Sequence, residues 1–353
     1  MSTISIPTPF RRQFPSDIIQ LIVEASLNPY DLFAQYPYQP KLRYATLKLF
    51  SLLNSTWCGA SRAELVKWVE ICTEGSAIRF LELVQQRGGT LGGVKDMFVN
   101  SMFVTDPSTL AKLLRCAPQV INLRVLGGSV DIYDLAQLQQ LRRVELAICS
   151  IVRTPSSSLL CLPQLQRLDI KKCRVEDSAL HFLTPAFLPQ LRRVNTDDLD
   201  IVSPLIQQLE IINARPFRWD FALLARATSL LLLPLPHSAD ERLEMLAKLP
   251  SLPPFLHAAI PPYEVGNYSD AQKEIVEALE DLLETKKSGL RVILVNDYEI
   301  DDSIESLIRR FQERGIRVQL VDEESDFSDA IDEMEKIRAK EKRASEGAGT
   351  RRG

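Results

Sequence analysis

Pro163–Cys173 reads PQLQRLDIKKC, with Leu165, Leu168, Ile170 and Cys173 at offsets 0, +3, +5 and +8. Leu168 and Ile170 flank a charged residue, the alternation of a short strand with one buried face. The same spacing returns in QLRRVELAIC, at Leu141, Val144, Leu146 and Cys149. It begins again at Leu191 and Val194 and, more loosely, at Val120, Leu123 and Val125. Phrase starts at Val120, Leu141, Leu165 and Leu191 are separated by 21, 24 and 26 residues. A strand phrase recurring at such a period marks stacked repeats, each burying its apolar face against the next.

With Leu168 and Ile170 turned inward, Arg167, Asp169 and Lys171 point outward. Equivalent outward positions hold Arg143 and Glu145 one repeat earlier, and Arg193 and Asn195 one repeat later. Parallel neighbours lie about 4.8 Å apart. Arg143, Arg167 and Arg193 are therefore expected in one column, beside a second column of Arg124, Glu145, Asp169 and Asn195. One reading is mutual neutralisation, at about 0.2–1 kcal/mol per cross-strand pair. The other is a stripe on the concave face that recognises carboxylate or phosphate groups through arginine forks. A protein surface is the expected ligand, because solenoids offer extended surfaces and not closed pockets. Cys149 and Cys173 fall where a buried thiol holds the turn after the strand, with no His or carboxylate placed to activate either.

The period fits leucine-rich repeats, which bury their leucines between a parallel sheet and a helical back. The expected fold class is α/β: an irregular leucine-rich-repeat solenoid behind a small all-α cap. Beyond Leu191 the period loosens, with further strand phrases at 229–236, 251–260, 289–297 and 315–323. An amphipathic helix, DDSIESLIRRFQERG, separates the last two, and another over 269–287 precedes them. SALHFLTPAFL at 178–188 reads as a returning helix. The strand–helix–strand unit at 289–323 also admits an enzymatic alternative, a Mg²⁺- or nucleotide-binding site at Asp297, Asp301 and Asp302. Capping of a helix in a terminal repeat explains the same acids.

The first 13 residues read as disordered, and order begins at FPSDIIQLIVEAS. Ile18, Ile19, Leu21, Ile22 and Ala25 give that helix an apolar stripe. A second helical run places Leu42, Ala45, Leu49, Leu52 and Leu53 on one side, and a third covers 61–86. The order Phe-Pro-Ser-Asp-Ile-Ile, a helix, then Leu-Leu-Asn-Ser-Thr-Trp resembles an F-box. Phe14, Pro15, Asp17, Ile18 and Ile19 match the opening phrase of that motif, and Leu52, Leu53 and Trp57 match its second phrase. The resemblance implies that these residues dock on the Skp-family adaptor of a cullin-type ubiquitin ligase, and that the repeats select a protein substrate. F-box followed by leucine-rich repeats is a recurrent pairing in that family. The expected division is a disordered 1–13, an F-box-like helical domain at 14–85, a repeat array at 86–321 and a charged tail at 322–353. QRGGTLGG at 86–93 then serves as a hinge, and the tail reads as disordered or singly helical.

Charge and motifs exclude much else. Net charge is −4, so nothing overall recommends nucleic acid as a partner. Six dispersed cysteines without a CxxC pair, and three histidines, leave little material for a zinc site and fit a reducing cytoplasmic or nuclear setting. MSTISIPTPFRRQFPSD offers no apolar run ahead of a cleavage site, and nowhere do 18 apolar residues run together. GxSxG, HExxH, GxGxxG and kinase signatures are absent. His181, His237 and His257 share no spacing that suggests coordination. The expectation is a non-enzymatic recognition protein with no cofactor.

Overall fold

A computed structural model describes residues 15–26, 40–103, 107–153, 161–214, 220–236, 238–258, 268–285, 289–296, 302–321 and 327–349. Its first helices are α1 (Ser16–Ser26), α2 (Pro40–Ser51) and α3 (Ser55–Lys67), with α3 packed on both others. Asn54 caps α3 by accepting from the Thr56 and Trp57 amides at 2.9 and 3.2 Å. Ile19, Val23 and Leu47 are the buried centre of this unit, with Phe50, Trp57 and Leu65 packed around them. Of the side shared by Leu42, Ala45, Leu49, Leu52 and Leu53, Leu49 in α2 and Leu52 and Leu53 just after it are exposed, and Leu47 is the buried leucine of α2. Phe14 and the 1–13 segment lie outside the described residues.

The third helical run breaks where Trp68–Ile71 takes over. Aromatic and β-branched residues there favour a pleated strand, β1 (Trp68–Ile71). Thr73 and Ser76 then form a capping box that starts α4 (Glu74–Gln86). Next come β2 (Asp96–Asn100), α5 (Pro107–Cys116), β3 (Asn122–Leu126), β4 (Ser129–Asp131) and α6 (Ile132–Ala136). The regular repeats supply β5 (Arg143–Ala147), β6 (Ser150–Val152), β7 (Arg167–Lys171), β8 (Arg174–Val175), α7 (Asp177–Leu180) and β9 (Arg193–Thr196). Then follow β10 (Ile211–Ala214), α8 (Phe221–Leu224), β11 (Leu232–Pro234), α9 (Ala239–Lys248) and β12 (Phe255–Ala258). The chain ends with α10 (Tyr268–Glu284), β13 (Val292–Asn296), α11 (Asp302–Glu313), β14 (Arg317–Val321) and α12 (Phe327–Gly349).

Eleven strands make one sheet in the order β1-β2-β3-β5-β7-β9-β10-β11-β12-β13-β14, and every pairing is parallel. A second parallel ribbon, β4-β6-β8, forms just beyond the strand ends of the regular repeats. Neighbours in the sheet are successive in the chain, so the fold is a solenoid: a leucine-rich-repeat-type α/β stack. The main core lies between the sheet and its return helices, where Leu123, Val144, Leu146, Leu168, Ile170 and Val194 meet residues such as Leu113, Leu135 and Leu183. Each such side chain removed from water contributes about 1.5–3 kcal/mol, less in a compact unfolded chain.

Three expectations about boundaries change. The array starts at Trp68 and not at residue 86, because β1 pairs in register with β2 from Trp68↔Asp96 to Ile71↔Val99. The glycine-rich 86–93 segment is consequently a turn inside the array, between α4 and β2, with Gly88 and Gly89 at φ 90° and 95°. The returning helix expected over 178–188 shrinks to the single turn of α7. β13 and β14 continue the same sheet on either side of α11, as a terminal repeat does. Asp297, Asp301 and His237 lie outside the described residues, and Asp302 is the first residue of α11.

Candidate protein-recognition surfaces

One face of the sheet carries the return helices. The other presents the outward residues in register. Arg143 pairs with Arg167 and Arg167 with Arg193, while Arg124, Glu145, Asp169 and Asn195 align in the adjacent column. Parallel pairing forces this stacking, since a one-residue slip would have carried Leu168 and Ile170 to the wrong face.

Stacked like charges require local compensation. Asp169 is buried and accepts from Arg167 Nε at 3.0 and 3.1 Å, a fork across one strand. Glu145, also buried, is met by Lys171 at 3.2 Å and by Arg124 at 3.6 Å. Arg124 in turn lies over the Phe98 ring, 5.6 Å from its centroid. Asn122 donates to Asp96 at 2.6 Å one step further along. Arg193 reaches across to Glu335 of α12. Burial, and then the like charge of Arg167, pulls the Arg193 guanidinium below its usual range, while Asp332 and Glu210 pull it back. Two buried carboxylates, Glu145 and Asp169, thus compensate Arg124, Arg167 and Lys171, while Glu335 of α12 meets Arg193 at the end of the column.

Beyond β9 the same face turns apolar. Ile211, Leu232, Phe255, Val292 and Leu294 face away from the main core, and α12 covers them with Ala330, Ile331, Met334 and Ile337. Phe327 adds a ring contact with His257 at 5.7 Å. The tail, expected to be charged and disordered or singly helical, is thus a helix packed on the sheet, and Ala330, Ile331, Met334 and Ile337 share one helical face in the sequence.

The helical cap offers a second surface. Of the residues matched to the F-box, Ile19 and Trp57 belong to the cap's own core, with the Trp57 ring 5.2 Å from that of Phe50. Pro15, Ile18, Leu52 and Leu53 are turned out; Leu52 is 74% exposed and Leu53 60%. Leu21 and Leu49, at 60% and 66%, stand out beside them in the chain. Gln20 ties α1 to α3 by donating to Glu64 at 2.7 Å.

Comparison with known proteins adds little. No family model matches the chain, and no curated protein matches it. Among solved structures, an internalin from Listeria monocytogenes str. 4b F2365 aligns at 16% identity and a TM-score of 0.29, covering 66% of this chain and 77% of that one.

The thiols of the regular repeats serve the backbone. Cys149 Sγ lies 3.2 Å from the Ala147 carbonyl and 3.3 Å from that of Gly127, and the Cys149 amide donates to Cys173 Sγ at 3.4 Å. Their mutual hydrogen bond raises Cys149 and lowers Cys173. Among the described residues, three or more His, Cys, Asp or Glu side chains nowhere gather as a metal site would need. No described helix is long and apolar enough to cross a membrane.

Proposed function

We propose that this chain is a non-enzymatic recognition subunit of a cullin-type ubiquitin ligase. In this reading α1–α3 dock on the Skp-family adaptor, and the open face of the sheet selects the protein delivered for ubiquitination. The observation that carries the adaptor half is the division of labour in the cap. Ile19, Val23, Leu47 and Trp57 satisfy its interior, while Pro15, Ile18, Leu52 and Leu53 stay in water. Large apolar side chains held out on a folded helical unit favour burial in a partner's groove. The substrate half rests on the sheet's in-register charged columns beside an apolar trough.

Co-purification of the full chain with the Skp adaptor tests the reading. Retention of the adaptor, and its loss in Leu52→Asp and Leu53→Asp with melting temperature unchanged, is the expected result. If the adaptor does not bind, or binds both variants as tightly, the ligase reading fails and a repeat scaffold without a ligase stands in its place.

A further inference from the structure

The open face of the sheet changes chemistry at one step. Along a single row of paired positions, Arg143, Arg167 and Arg193 give way to Ile211, Leu232, Phe255 and Val292. α12 lies on the apolar part, and its Glu335 meets the last arginine of the column. We propose that this surface is a docking site for an acidic amphipathic helix of a partner protein, and that α12 is a copy of that ligand carried in cis, displaced when the partner binds. The inference deepens the protein-recognition half of the proposed function and does not depend on its adaptor half.

The composition of α12 shows what the site accepts. Its docking half, 327–337, carries Asp329, Asp332, Glu333 and Glu335 against Lys336, four acids to one base. Its outer half, 338–349, carries Arg338, Lys340, Lys342 and Arg343 against Glu341 and Glu346, four bases to two acids. The acidic half is the one whose Glu335 meets Arg193. Its apolar residues Ala330, Ile331, Met334 and Ile337 fall on one helical face, as a helix laid in a groove requires.

The site is also separable from the solenoid that carries it. Residues under α12 form their own buried cluster, distinct from the core between the sheet and the return helices. Past Ile337 no α12 residue whose exposure is described is buried. The contacts there are exposed ion pairs, Arg291–Glu341 at 2.7 Å and Arg338–Glu210 at 3.9 Å, a class of contact that holds weakly. Lifting α12 leaves the sheet's ladder and its helical back in place. It bares a row of Ile, Leu, Phe and Val, the kind of patch that marks an interaction site. Charge complementarity with Arg193 then sets orientation and favours acidic helices over basic ones.

The test uses the full chain and a fluorescein-labelled peptide of residues 327–341, read by fluorescence anisotropy. In the wild type the peptide must compete with α12, whose tether gives it an effective concentration of about a millimolar. A chain carrying Ile331→Asp and Met334→Asp, which releases α12 without touching the sheet, should bind the peptide about tenfold or more tightly. Arg193→Glu in that background should abolish binding, and a Glu335→Arg peptide should recover part of it. An unrelated acidic peptide with the same apolar spacing should compete, and its counterpart with lysines at the acidic positions should not. Equal binding by wild type and released chain, or equal competition by the lysine peptide, overturns the inference. Should the released chain precipitate, hydrogen exchange on the wild type decides instead. Excess peptide with norleucine in place of Met334, distinguishable by mass, must speed exchange at 330–337 and leave β5–β9 unchanged; no change there overturns it as well. Adaptor co-purification is a separate readout, so failure of either claim is recognised without the other.

Discussion

Replacing Asp169 tests whether internal pairing holds the arginine column in place. Asp169 is 1% exposed and grips Arg167 at 3.0–3.1 Å through two oxygens. At an effective dielectric of 20 that pair attracts with roughly 5 kcal/mol. Glu145, paired with Asp169 across the ladder, opposes it. At a strand spacing of about 4.8 Å the repulsion is roughly 3.5 kcal/mol. Attraction wins by roughly 2 kcal/mol on these figures. Arg167 also stands between Arg143 and Arg193, so losing the carboxylate leaves its charge in a cationic neighbourhood. Asp169→Asn should therefore cost about 2–4 kcal/mol, near the range for breaking a buried pair. Urea unfolding at unchanged m-value is the assay. Arg167→Met combined with Asp169→Leu should return to within about 1 kcal/mol of wild type, because an apolar pair replaces a desolvated ionic one. A stable Asp169→Asn would refute the reasoning. It would mean that repulsion from Glu145 outweighs the Arg167 pairing.

Other perturbations carry equally definite expectations. Gly289 holds φ +104°, and a Cβ there would sit 2.2 Å from the Leu252 carbonyl oxygen. Gly289→Ala should thus cost about 3 kcal/mol or more. Gly88→Ala, at φ +90° but in open space, should cost about 1 kcal/mol, both measured by denaturant unfolding. Burial, reinforced by the hydrogen bond and charge of Glu70, pushes the Cys72 thiol up to about 12. Cys72 should consequently resist iodoacetamide at pH 8, and Glu70→Gln should speed its alkylation, read by peptide mass spectrometry. The stability contributed by this protonated thiol is present below the unfolded value near 8.5 and is lost as pH rises toward about 12.

How much the sequence disclosed tracks how strictly each segment obeys one period. Leu141–Cys149 and Leu165–Cys173 repeat the same spacing, and their strands, outward columns and turn thiols fall as that spacing requires. Trp68–Ile71 was hidden because its apolar positions fit a helical stripe as well as a strand, and Lys67 joins it to a true helix without a glycine or proline between. β10 follows a 3₁₀ stretch, Asp200–Gln208, that replaces the usual return helix and blurs the period. α2 hides its buried residue for a different reason. Its three leucines, Leu42, Leu47 and Leu49, do not share one face, and packing on α1 and α3 selects Leu47. In α12 a thin apolar face is diluted by charge, so its burial depends on a trough assembled from strands far away in the chain. In the cap, the resemblance to an F-box groups Ile18, Ile19, Leu52, Leu53 and Trp57 as one docking set. Folding keeps Ile19 and Trp57 for the interior.

The most direct measurement on the account as a whole is a hydrogen-exchange footprint of the Skp adaptor on the full chain. The recognition-subunit reading predicts slowed exchange in α1 and α2, centred on 16–22 and 47–53, with the sheet from β3 to β9 unaffected. An unaltered cap, or protection confined to the sheet, would contradict it.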